Sequence, residues 1–414
     1  MSTNLKTMRW HIGIFGRTNT GKSSFINWLS QQDVSIVSPI PGTTTDPVEK
    51  TMELLPLGPV VFIDTAGIDD ISELGQKRIR KTQDILGRID MAVLVSDASD
   101  FGSYEEKWIH QLKEKNIPFL VVLNKIDLMP SSAASFDVIK ALGFPCIALS
   151  SKFGEEEDRN KVKILLNKML PDKKWLETPL LEGLVKARAL VALVIPIDQS
   201  APKGRIILPQ QQVIREVLDR KAISIILTPE QIPRMDQYLF RKPDLMITDS
   251  QAFGEVFQLC PDEIPLTSFS ILFARQRGQF DTLLEGAFHL RKLKKGDRVV
   301  IMEACSHHPT SDDIGRCKIP RWLNAYVGSE INTQVACGHS LPEDLMNVKL
   351  VIQCGSCMLN QREVFHRIQH IRNAGIPVTN YGLAIAEMKG HLDRAIRPLG
   401  LSDITHPELK EGQA

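Results

Sequence analysis

Apolar runs alternate with amphipathic segments from Trp10 to about residue 172. The runs "HIGIFG", "VVFIDTAG", "MAVLVSD", "PFLVVLNKID" and "PCIALSS" have the length of strands, and the segments between them have the length of helices. Near-continuous apolar strands alternating with helices are typical of a parallel sheet covered on both faces. The pattern therefore predicts a doubly wound α/β domain over residues 1–172.

The alternation breaks at "LPDKKWLETP" and then restarts twice. The runs "LVALVIPI", "AISIIL" and "DLMITD", with helical segments between them, predict a smaller α/β unit over residues 173–265. A helix predicted from Ile271 to Leu293 opens the last part, residues 266–414, where "RVVIMEA", "LVIQCG" and "IPVTNYG" read as strands. The fold class is therefore α/β, a doubly wound domain followed by two further α/β units with largely parallel sheets.

The charge balance, the length of the apolar stretches and the N-terminal sequence argue against a nucleic-acid-binding, a membrane-spanning and a secreted protein. Lys and Arg number 50 against 49 Asp and Glu, which leaves no net field to attract nucleic acid. The longest apolar stretch, Ala189 to Ile197, is about half of the roughly 20 residues that a membrane span needs. The N-terminus lacks the pattern of a secretory signal, so we expect a cytoplasmic protein whose seven cysteines stay reduced, with no membrane or nucleic-acid partner.

A phosphate-binding loop follows the first strand. Gly16, Gly21, Lys22 and Ser23 form G-x-x-x-x-G-K-S, in which backbone N–H groups can face phosphates at a helix N-terminus. Lys22 is expected to neutralise the β and γ oxygens, and Ser23 to offer its hydroxyl to Mg²⁺. Asp64, at the tip of the next apolar strand, is the acid expected in the second sphere of the same ion. These positions make the first domain a P-loop nucleotide-binding domain.

The base-recognition signals favour guanine. Asp127 in "NKID" can accept both the ring N–H and the exocyclic amine of guanine, whereas adenine presents these groups in the opposite arrangement. The segment "SSK" after the following strand completes the expected pocket. The combination resembles the translation-factor-related GTPases. The base-binding residues that it implies are Asn124, Lys125, Asp127, Ser150, Ser151 and Lys152.

Two positions bear on the rate of hydrolysis. Ile68 stands where a Ras-like pattern has the glutamine that orients water, so we expect slow intrinsic hydrolysis. Asn19 resembles the asparagine of GTPases that recruit K⁺ in place of an arginine finger. Its other interpretation is a loop residue that tolerates unusual backbone angles.

The mobile switch is expected in "PGTTTD". The family position points to Thr44 as the residue that reaches Mg²⁺ and the γ-phosphate, although spacing alone leaves Thr43 and Thr45 open. The catalytic set is then Asn19, Lys22, Thr44 and Asp64. The nucleotide and Mg²⁺ set comprises Gly16, Asn19, Thr20, Gly21, Lys22, Ser23, Ser24, Thr44, Asp64 and Gly67.

Three cysteines follow strands of the last unit. Cys305 follows "RVVIMEA", and Cys354 and Cys357 follow "KLVIQ". Strand ends of an open α/β sheet are where sites form. Thiolates gathered there would suit Zn²⁺ or iron-sulfur chemistry, and His307 could join them.

The residues around these cysteines resemble the FeFe-hydrogenase maturation GTPases of the HydF type. The segments that carry the likeness are "CSHHP", "CGSC", "SAPKGRIILPQ" and "DDIGRCKIPRWL", which span the three predicted domains. The resemblance implies a GTPase scaffold with a dimerisation domain and a domain holding a 4Fe-4S cluster through Cys305, Cys354 and Cys357. It also implies transient carriage of the two-iron H-cluster precursor. The implied partners are radical-enzyme hydrogenase maturases, apo FeFe-hydrogenase and a second copy of the chain.

One residue departs from that pattern. The family often has histidine directly before the C-x-x-C pair, and this chain has Gln353, a poor iron ligand. The fourth iron position is therefore left to His307, Asp312, water or an incoming complex. We expect it to be exchangeable, which suits a carrier.

Other interpretations stay open at this level. "CGSC" could be a redox dithiol, Cys305, His307, Cys354 and Cys357 could hold a structural zinc, and the G domain could serve an RNA-linked or ribosome-linked GTPase. Cys337 reads as a packing cysteine, with His339 as its partner in a less favoured ligand pair. "TNYG", residues 379–382, could line the strand-end cleft or form an ordinary turn.

Overall fold

The chain is described from a computed structural model that covers residues 9–31, 48–65, 85–128, 143–170, 179–197, 206–304, 313–338, 344–356 and 359–401. Contacts divide the chain into two compact units. The first is Met1–Lys173 with Asn360–His366, and the second is Lys174–Leu359 with Arg367–Ala414.

The first unit is built on a six-stranded sheet in the order β2-β3-β1-β4-β5-β6. Neighbouring strands run parallel except for the antiparallel pair β2 and β3. All residues of β1 and β5 are buried, as expected for strands covered on both faces. The strands are β1 (Trp10–Phe15), β2 (Val48–Leu54), β3 (Gly58–Asp64), β4 (Met91–Asp97), β5 (Phe119–Asn124) and β6 (Cys146–Ala148), and the helices are α1 (Lys22–Ser30), α2 (Ser103–Glu114) and α3 (Glu156–Met169).

The second unit contains two four-stranded parallel sheets. One has the order β10-β9-β7-β8, with β7 (Leu190–Val194), β8 (Ile223–Leu227), β9 (Leu245–Thr248) and β10 (Leu266–Ser268). The other has the order β12-β11-β13-β14, with β11 (Arg298–Glu303), β12 (Asn332–Cys337), β13 (Val348–Gln353) and β14 (Val378–Asn380). The α/β class with largely parallel sheets is confirmed.

The remaining helices connect these strands. They are α4 (Leu208–Asp219), α5 (Phe253–Leu259), α6 (Phe269–Gln276), α7 (Phe280–Phe288), α8 (Ile319–Val327), α9 (Gln361–Asn373), α10 (Tyr381–Met388) and α11 (Leu392–Ile396). Short 3₁₀ segments lie at Ile126–Leu128, Pro229–Gln237, Ser250–Ala252, His289–Lys292 and Arg397–Leu399, and a π-helical turn lies at Ile314–Lys318.

Two details differ from the sequence-based expectation. The single helix predicted from Ile271 to Leu293 is two helices, α6 and α7, because Gly278 between them adopts a left-handed φ of 73° that a helix cannot continue through. The second sheet also runs past residue 265, since β10 belongs to it and α6 contributes Phe269, Leu272 and Phe273 to its core. The division into three domains stays a prediction.

The second sheet ends in an apolar edge. β8 is its outer strand, and Ile223 and Ile226 there are 55% and 49% exposed. Unpaired backbone groups and exposed isoleucines on an edge strand are a template for pairing with another chain.

The fit of α7 against β14 gives a test of the packing. A Cβ at Gly286 would lie 2.0 Å from the Val378 carbonyl oxygen, whereas a Cβ at Gly254 in α5 would meet only Cδ of Lys389, at 4.0 Å. We expect Gly286→Ala to lower the free energy of unfolding by about 1–3 kcal/mol through overpacking. Gly254→Ala should be neutral or raise it by up to about 1 kcal/mol. Chemical denaturation measures both, and equal stabilities of the two variants would contradict the packing.

Candidate functional site

The phosphate loop joins β1 to α1 and depends on two close approaches. A Cβ at Gly16 would lie 2.1 Å from the Val95 carbonyl oxygen, and one at Gly21 would lie 2.3 Å from Nδ2 of Asn124. Both glycines also have positive φ, 146° and 89°. Larger residues at either position would move the loop, so the glycines of the motif are fixed by packing as well as by backbone angle.

Asn124 connects the phosphate loop to the predicted base pocket. Its side-chain amide donates to the Thr20 carbonyl at 2.9 Å, and its Oδ1 accepts from the backbone N–H of Ser151 at 2.9 Å. Asn124 is buried. The residue expected in the base pocket therefore also holds together the two loops on either side of the nucleotide position.

Lys22, Ser23 and Asp64 meet at the carboxyl ends of β1 and β3. The Lys22 ammonium donates to the carbonyl oxygens of Gly16 and Arg17, at 2.9 and 2.7 Å. The Ser23 hydroxyl donates to Oδ2 of Asp64 at 3.0 Å. These contacts bring together the motif lysine, the hydroxyl expected to bind Mg²⁺ and the acid expected in its second sphere.

The burial and the charged neighbours of the Asp64 carboxylate suit the binding of a hydrated cation. Its Oδ1 is buried without a hydrogen-bond partner in the described part of the chain. Burial raises the pKa of Asp64, while the Ser23 hydroxyl, Lys22 and Lys50 lower it. A carboxylate oxygen without a partner can accept hydrogen bonds from the water molecules around Mg²⁺. This ion usually keeps several waters and binds few protein ligands.

The base-side residues lie on neighbouring loops. Lys125 has a φ of 62° and pairs with Asp97 at 3.0 Å, and Asp127 is exposed in the short turn after β5. The Ser150 hydroxyl accepts from the backbone N–H groups of Lys152 and Phe153 at 3.4 and 3.3 Å. An exposed carboxylate beside an ordered serine turn is compatible with the predicted base pocket.

Asn19 is exposed with a left-handed φ of 64°. That geometry agrees with its interpretation as a loop former and leaves the side chain accessible for an ion. Ser24 is exposed in the first turn of α1, and Thr20 is buried with its hydroxyl on the Arg17 carbonyl. Thr44 and Gly67, like Thr43, Thr45 and Ile68, lie outside the described residues.

The motifs did not point to two charged residues beside this loop. Arg17, within the loop, pairs with Asp100 at 2.7 Å and with the fully buried Glu105 at 3.1 Å. Lys50 of β2 is buried near Asp64, and burial lowers its pKa. The sequence gives little signal for either, since β2 and α2 come to the loop only through the sheet order.

The second predicted site lies at the carboxyl ends of the third sheet. Cys354 follows β13, and its sulfur accepts from the backbone N–H groups of Ala304 and Ser356 at 3.2 and 3.4 Å. The Arg277 guanidinium holds the same loop by donating to the carbonyl oxygens of Gly355 and Ser356, both at 3.0 Å. Backbone N–H groups directed at a cysteine sulfur are a feature of iron-sulfur sites.

Cys337 does not pack in the core as we expected. It ends β12 beside Glu303 in the strand register and is exposed. Arg316 of the π-helical turn donates to its sulfur at 3.0 Å, and the thiol lies 3.5 Å from Oε2 of Glu303. Desolvation and then Glu303 raise the pKa of the thiol, and Arg316 lowers it.

Buried polar atoms without partners border the same edge. They belong to consecutive strands or strand ends, and none has a hydrogen-bond partner in the described residues: Gln353 Oε1, Thr379 Oγ1 and Tyr381 Oη. Such atoms are uncommon in folded chains, although the described residues hold others elsewhere, for example Ser151 Oγ and Thr267 Oγ1. The Thr379 and Tyr381 hydroxyls can donate to an inorganic group with sulfur acceptors beside Cys354, whereas the Gln353 oxygen can only accept a hydrogen bond.

The complete ligand set cannot be traced within these residues. Cys305, His307, Asp312 and Cys357, together with His339, lie outside the described part. Within that part, no group of three or more His, Cys, Asp or Glu side chains could hold a metal ion. Of the other cysteines, Cys146 is half-buried in β6, Cys317 is exposed, and Cys260 is buried, which raises its pKa to about 11.

Comparison with known families identifies the family of the chain. The model described as the hydrogen maturase F dimerization domain matches residues 180–278, and the one described as the hydrogen maturase F tetramerization domain matches residues 281–398. A third, described as a 50S ribosome-binding GTPase, matches residues 11–125. The two maturase models cover more than half of the chain. This chain belongs to the HydF family of hydrogenase maturation GTPases.

Curated relatives of this HydF-family chain match its G domain above all. A tRNA modification GTPase MnmE from Prochlorococcus marinus (strain NATL1A) is 37% identical over 161 residues, which is 38% of this chain and 34% of the relative. A GTPase Der from a Nitratiruptor species is 28% identical over 262 residues, 55% of this chain and 56% of the relative. The chain thus spans about a third to a half of the length of these relatives.

Solved GTPase structures resemble it more distantly. Era from Aquifex aeolicus, bound to GDP and aluminium fluoride, is 20% identical with a TM-score of 0.34, over 60% of this chain and 97% of that one. The G domain of the T. maritima FeoB iron transporter is 22% identical with a TM-score of 0.30, over 39% of this chain and 99% of that one. In the described part of the HydF-family chain, no helix has both the length and the apolar character needed to span a membrane.

The contact between Ser23 and Asp64 predicts the effect of removing one charge. Asp64→Asn keeps the size of the side chain but removes the negative charge that supports Mg²⁺, so we expect Mg²⁺-dependent GTP hydrolysis to fall about 10- to 100-fold. Asp158→Asn, at a half-exposed side chain in the first turn of α3, is the matched control and should hydrolyse GTP like the unchanged chain. A titration of rate against Mg²⁺ measures both. Wild-type Mg²⁺ dependence in Asp64→Asn would contradict the assignment.

Proposed function

We propose that this GTPase is a scaffold that binds an iron-sulfur cluster and delivers the two-iron H-cluster precursor to apo FeFe-hydrogenase. The observation that carries the proposal is the meeting, at one sheet edge, of a cysteine sulfur that accepts from two backbone N–H groups and of two buried hydroxyls, those of Thr379 and Tyr381, without partners in the described residues. That edge lies within the part of the chain matched by the second hydrogen maturase F model.

The nucleotide chemistry rests on the first unit. Lys22 would neutralise the GTP phosphates, Ser23 and Thr44 would hold Mg²⁺, and Asp64 would support that ion through its free carboxylate oxygen. Asp127 would select guanine. Hydrolysis is expected to be slow, because the position after "DTAG" is Ile68 and offers no side chain to orient water.

The cluster would be held by Cys305, Cys354 and Cys357. When bound, a 4Fe-4S cluster with three thiolates supplies one iron position open to ligand exchange. His307 and Asp312 are the protein side chains proposed to share that position with water or an incoming complex. The chain's own part is to fix the Cys354 loop, which Arg277 does through two carbonyl oxygens.

The partners follow from the carrier role. We propose that the chain works in the cytoplasm with radical-enzyme hydrogenase maturases and apo-hydrogenase, and that it forms a homodimer. The exposed β8 edge, within the region matched by the dimerization-domain model, offers a surface for that dimer. Sedimentation velocity measures the oligomeric state, and a monomer at micromolar concentration would count against the dimer.

The nucleotide state is proposed to change how the partners dock. Equal affinity of a partner for the GTP-bound and the GDP-bound chain would exclude this control.

Three rival functions predict different contents of the purified chain. A structural zinc site would give colourless protein with stoichiometric zinc. A redox dithiol would give metal-free protein with two titratable thiols. An RNA-linked GTPase would bind RNA without iron. Anaerobically purified, brown protein that contains iron and sulfide would favour the carrier.

Cysteine variants test whether the two sites are separate. We expect Cys305→Ser, Cys354→Ser and Cys357→Ser to lose the iron that the reconstituted wild type holds, about four per chain, while hydrolysing GTP at the wild-type rate. Lys22→Ala should do the reverse. Cys317→Ser is the matched control, an exposed cysteine of the same unit that should load normally. Loss of both activities in either set would contradict the assignment of the domains.

Asn19→Gly separates the two interpretations of Asn19. Glycine keeps the left-handed backbone but removes the side chain, so GTP affinity should be retained. If the side chain binds K⁺, the variant should lose the K⁺ stimulation, expected to be about 10-fold or more. Asn116→Gly, at another exposed residue with positive φ, is the control. Hydrolysis rates in K⁺ and Na⁺ measure the effect, and unchanged K⁺ stimulation in Asn19→Gly would leave only the loop-forming role.

A further inference from the structure

Tyr381 lies at the centre of the third-sheet edge without an assigned role. It begins α10 directly after β14, and its hydroxyl oxygen is buried without a hydrogen-bond partner in the described residues. A buried hydroxyl without a partner carries the full cost of losing its water. Its position therefore calls for an acceptor that the described protein atoms do not provide.

The backbone around Tyr381 is tightly fixed. The Asn380 side chain accepts from the backbone N–H of Leu383 at 2.9 Å and donates to the Ser270 carbonyl at 3.2 Å. A Cβ at Gly382 would lie 2.6 Å from the Ser270 side chain. The start of α10 thus cannot shift easily, and the tyrosine ring projects from a rigid point.

The ring reaches into the cysteine edge. A Cβ at Gly315 would lie 2.2 Å from Tyr381 Oη and 2.3 Å from Glu303 Oε1, so both atoms border the same glycine of the π-helical turn. A phenol keeps its proton near neutral pH. The groups around this one, Cys354, Glu303, Asp313 and Cys337, accept hydrogen bonds or are weak donors.

Each of those neighbouring groups also accepts from another donor, although the Glu303 oxygen beside Tyr381 is Oε1 and the one that Arg316 contacts is Oε2. Cys354 accepts from two backbone N–H groups, Asp313 from the N–H of Arg316, and Glu303 from the Arg316 guanidinium at 3.4 Å. The Tyr381 and Thr379 hydroxyls are donors without partners at this edge in the described residues. An additional acceptor beside Cys354 would satisfy the Tyr381 hydroxyl.

We propose that Tyr381 donates its hydrogen bond to a sulfur atom of the bound iron-sulfur group and so contacts the cluster without ligating iron. This inference rests on the proposed function. Hydrogen bonds to cluster sulfurs stabilise the reduced, more negative state and raise the reduction potential. "TNYG" is then part of the site, and the interpretation as an ordinary turn is set aside.

Tyr381→Phe removes only the hydroxyl and gives two readouts. In the cluster-free chain, the variant should unfold at a temperature no lower than the wild type, because no protein partner is lost. In the anaerobically reconstituted chain, we expect its reduction potential, followed by paramagnetic resonance, to shift to a more negative value. Failure of this variant alone to take up iron would equally support the contact, since a single oxygen distinguishes it from the wild type.

Tyr326→Phe is the matched control. The Tyr326 hydroxyl donates to Oε1 of Glu387 at 2.8 Å, in the same unit. Cluster-free Tyr326→Phe should unfold at a lower temperature than the wild type. The same variant loaded with the cluster should keep the wild-type reduction potential. The two tyrosines thus predict opposite outcomes in both measurements.

The possible failures are distinguishable. If the wild type binds no iron and sulfide, the proposed function fails and this inference with it. If the wild type binds the cluster and Tyr381→Phe has the wild-type potential, only the hydrogen bond is excluded. Lower thermal stability of cluster-free Tyr381→Phe would also overturn the proposal, because the hydroxyl would then have a protein partner.

Discussion

Parallel pairing of strands is the constraint on which both candidate sites depend. When strands run in the same direction, their carboxyl ends meet at one edge, and residues far apart in sequence come together there. In the first sheet this brings the loop after β1 to the ends of β3 and β5, and in the third it brings Cys337, Cys354 and Tyr381 to the end of β11. The register of strand pairing determines which residues become neighbours at each edge. For example, it places Cys337 beside Glu303.

The two edges use hydrogen bonds differently. At the nucleotide edge the loops are tied to each other, with Asn124 joining Thr20 to Ser151 and Lys22 closing over the carbonyl oxygens of its own loop. At the cysteine edge, Arg277 and backbone N–H groups fix the Cys354 loop, while polar atoms of Gln353, Thr379 and Tyr381 remain without partners in the described part of the chain. The nucleotide edge likewise leaves Asp64 Oδ1 without a partner in the described residues, so both edges keep polar atoms that an additional bound group could satisfy.

Local sequence sufficed where function depends on a short motif. The glycines, lysine and serine of the phosphate loop, Asp64, and the two base-pocket loops could be placed on strand ends from the sequence alone, and so could the α/β class. Cys337 and Tyr381 could not, because their surroundings come from β11 and the π-helical turn rather than from their own neighbours. The break at Gly278 was also missed, since a single glycine in an amphipathic run does not by itself end a helix.

We propose that Cys305, Cys354 and Cys357 share one inorganic core with an exchangeable position. Mössbauer spectroscopy of the anaerobic chain, reconstituted with isotopically labelled iron, can test this arrangement. We expect a four-iron cluster in which one iron differs from the other three and alone responds to an added small ligand. A chain without iron, or a cluster whose irons all ignore the added ligand, would contradict it.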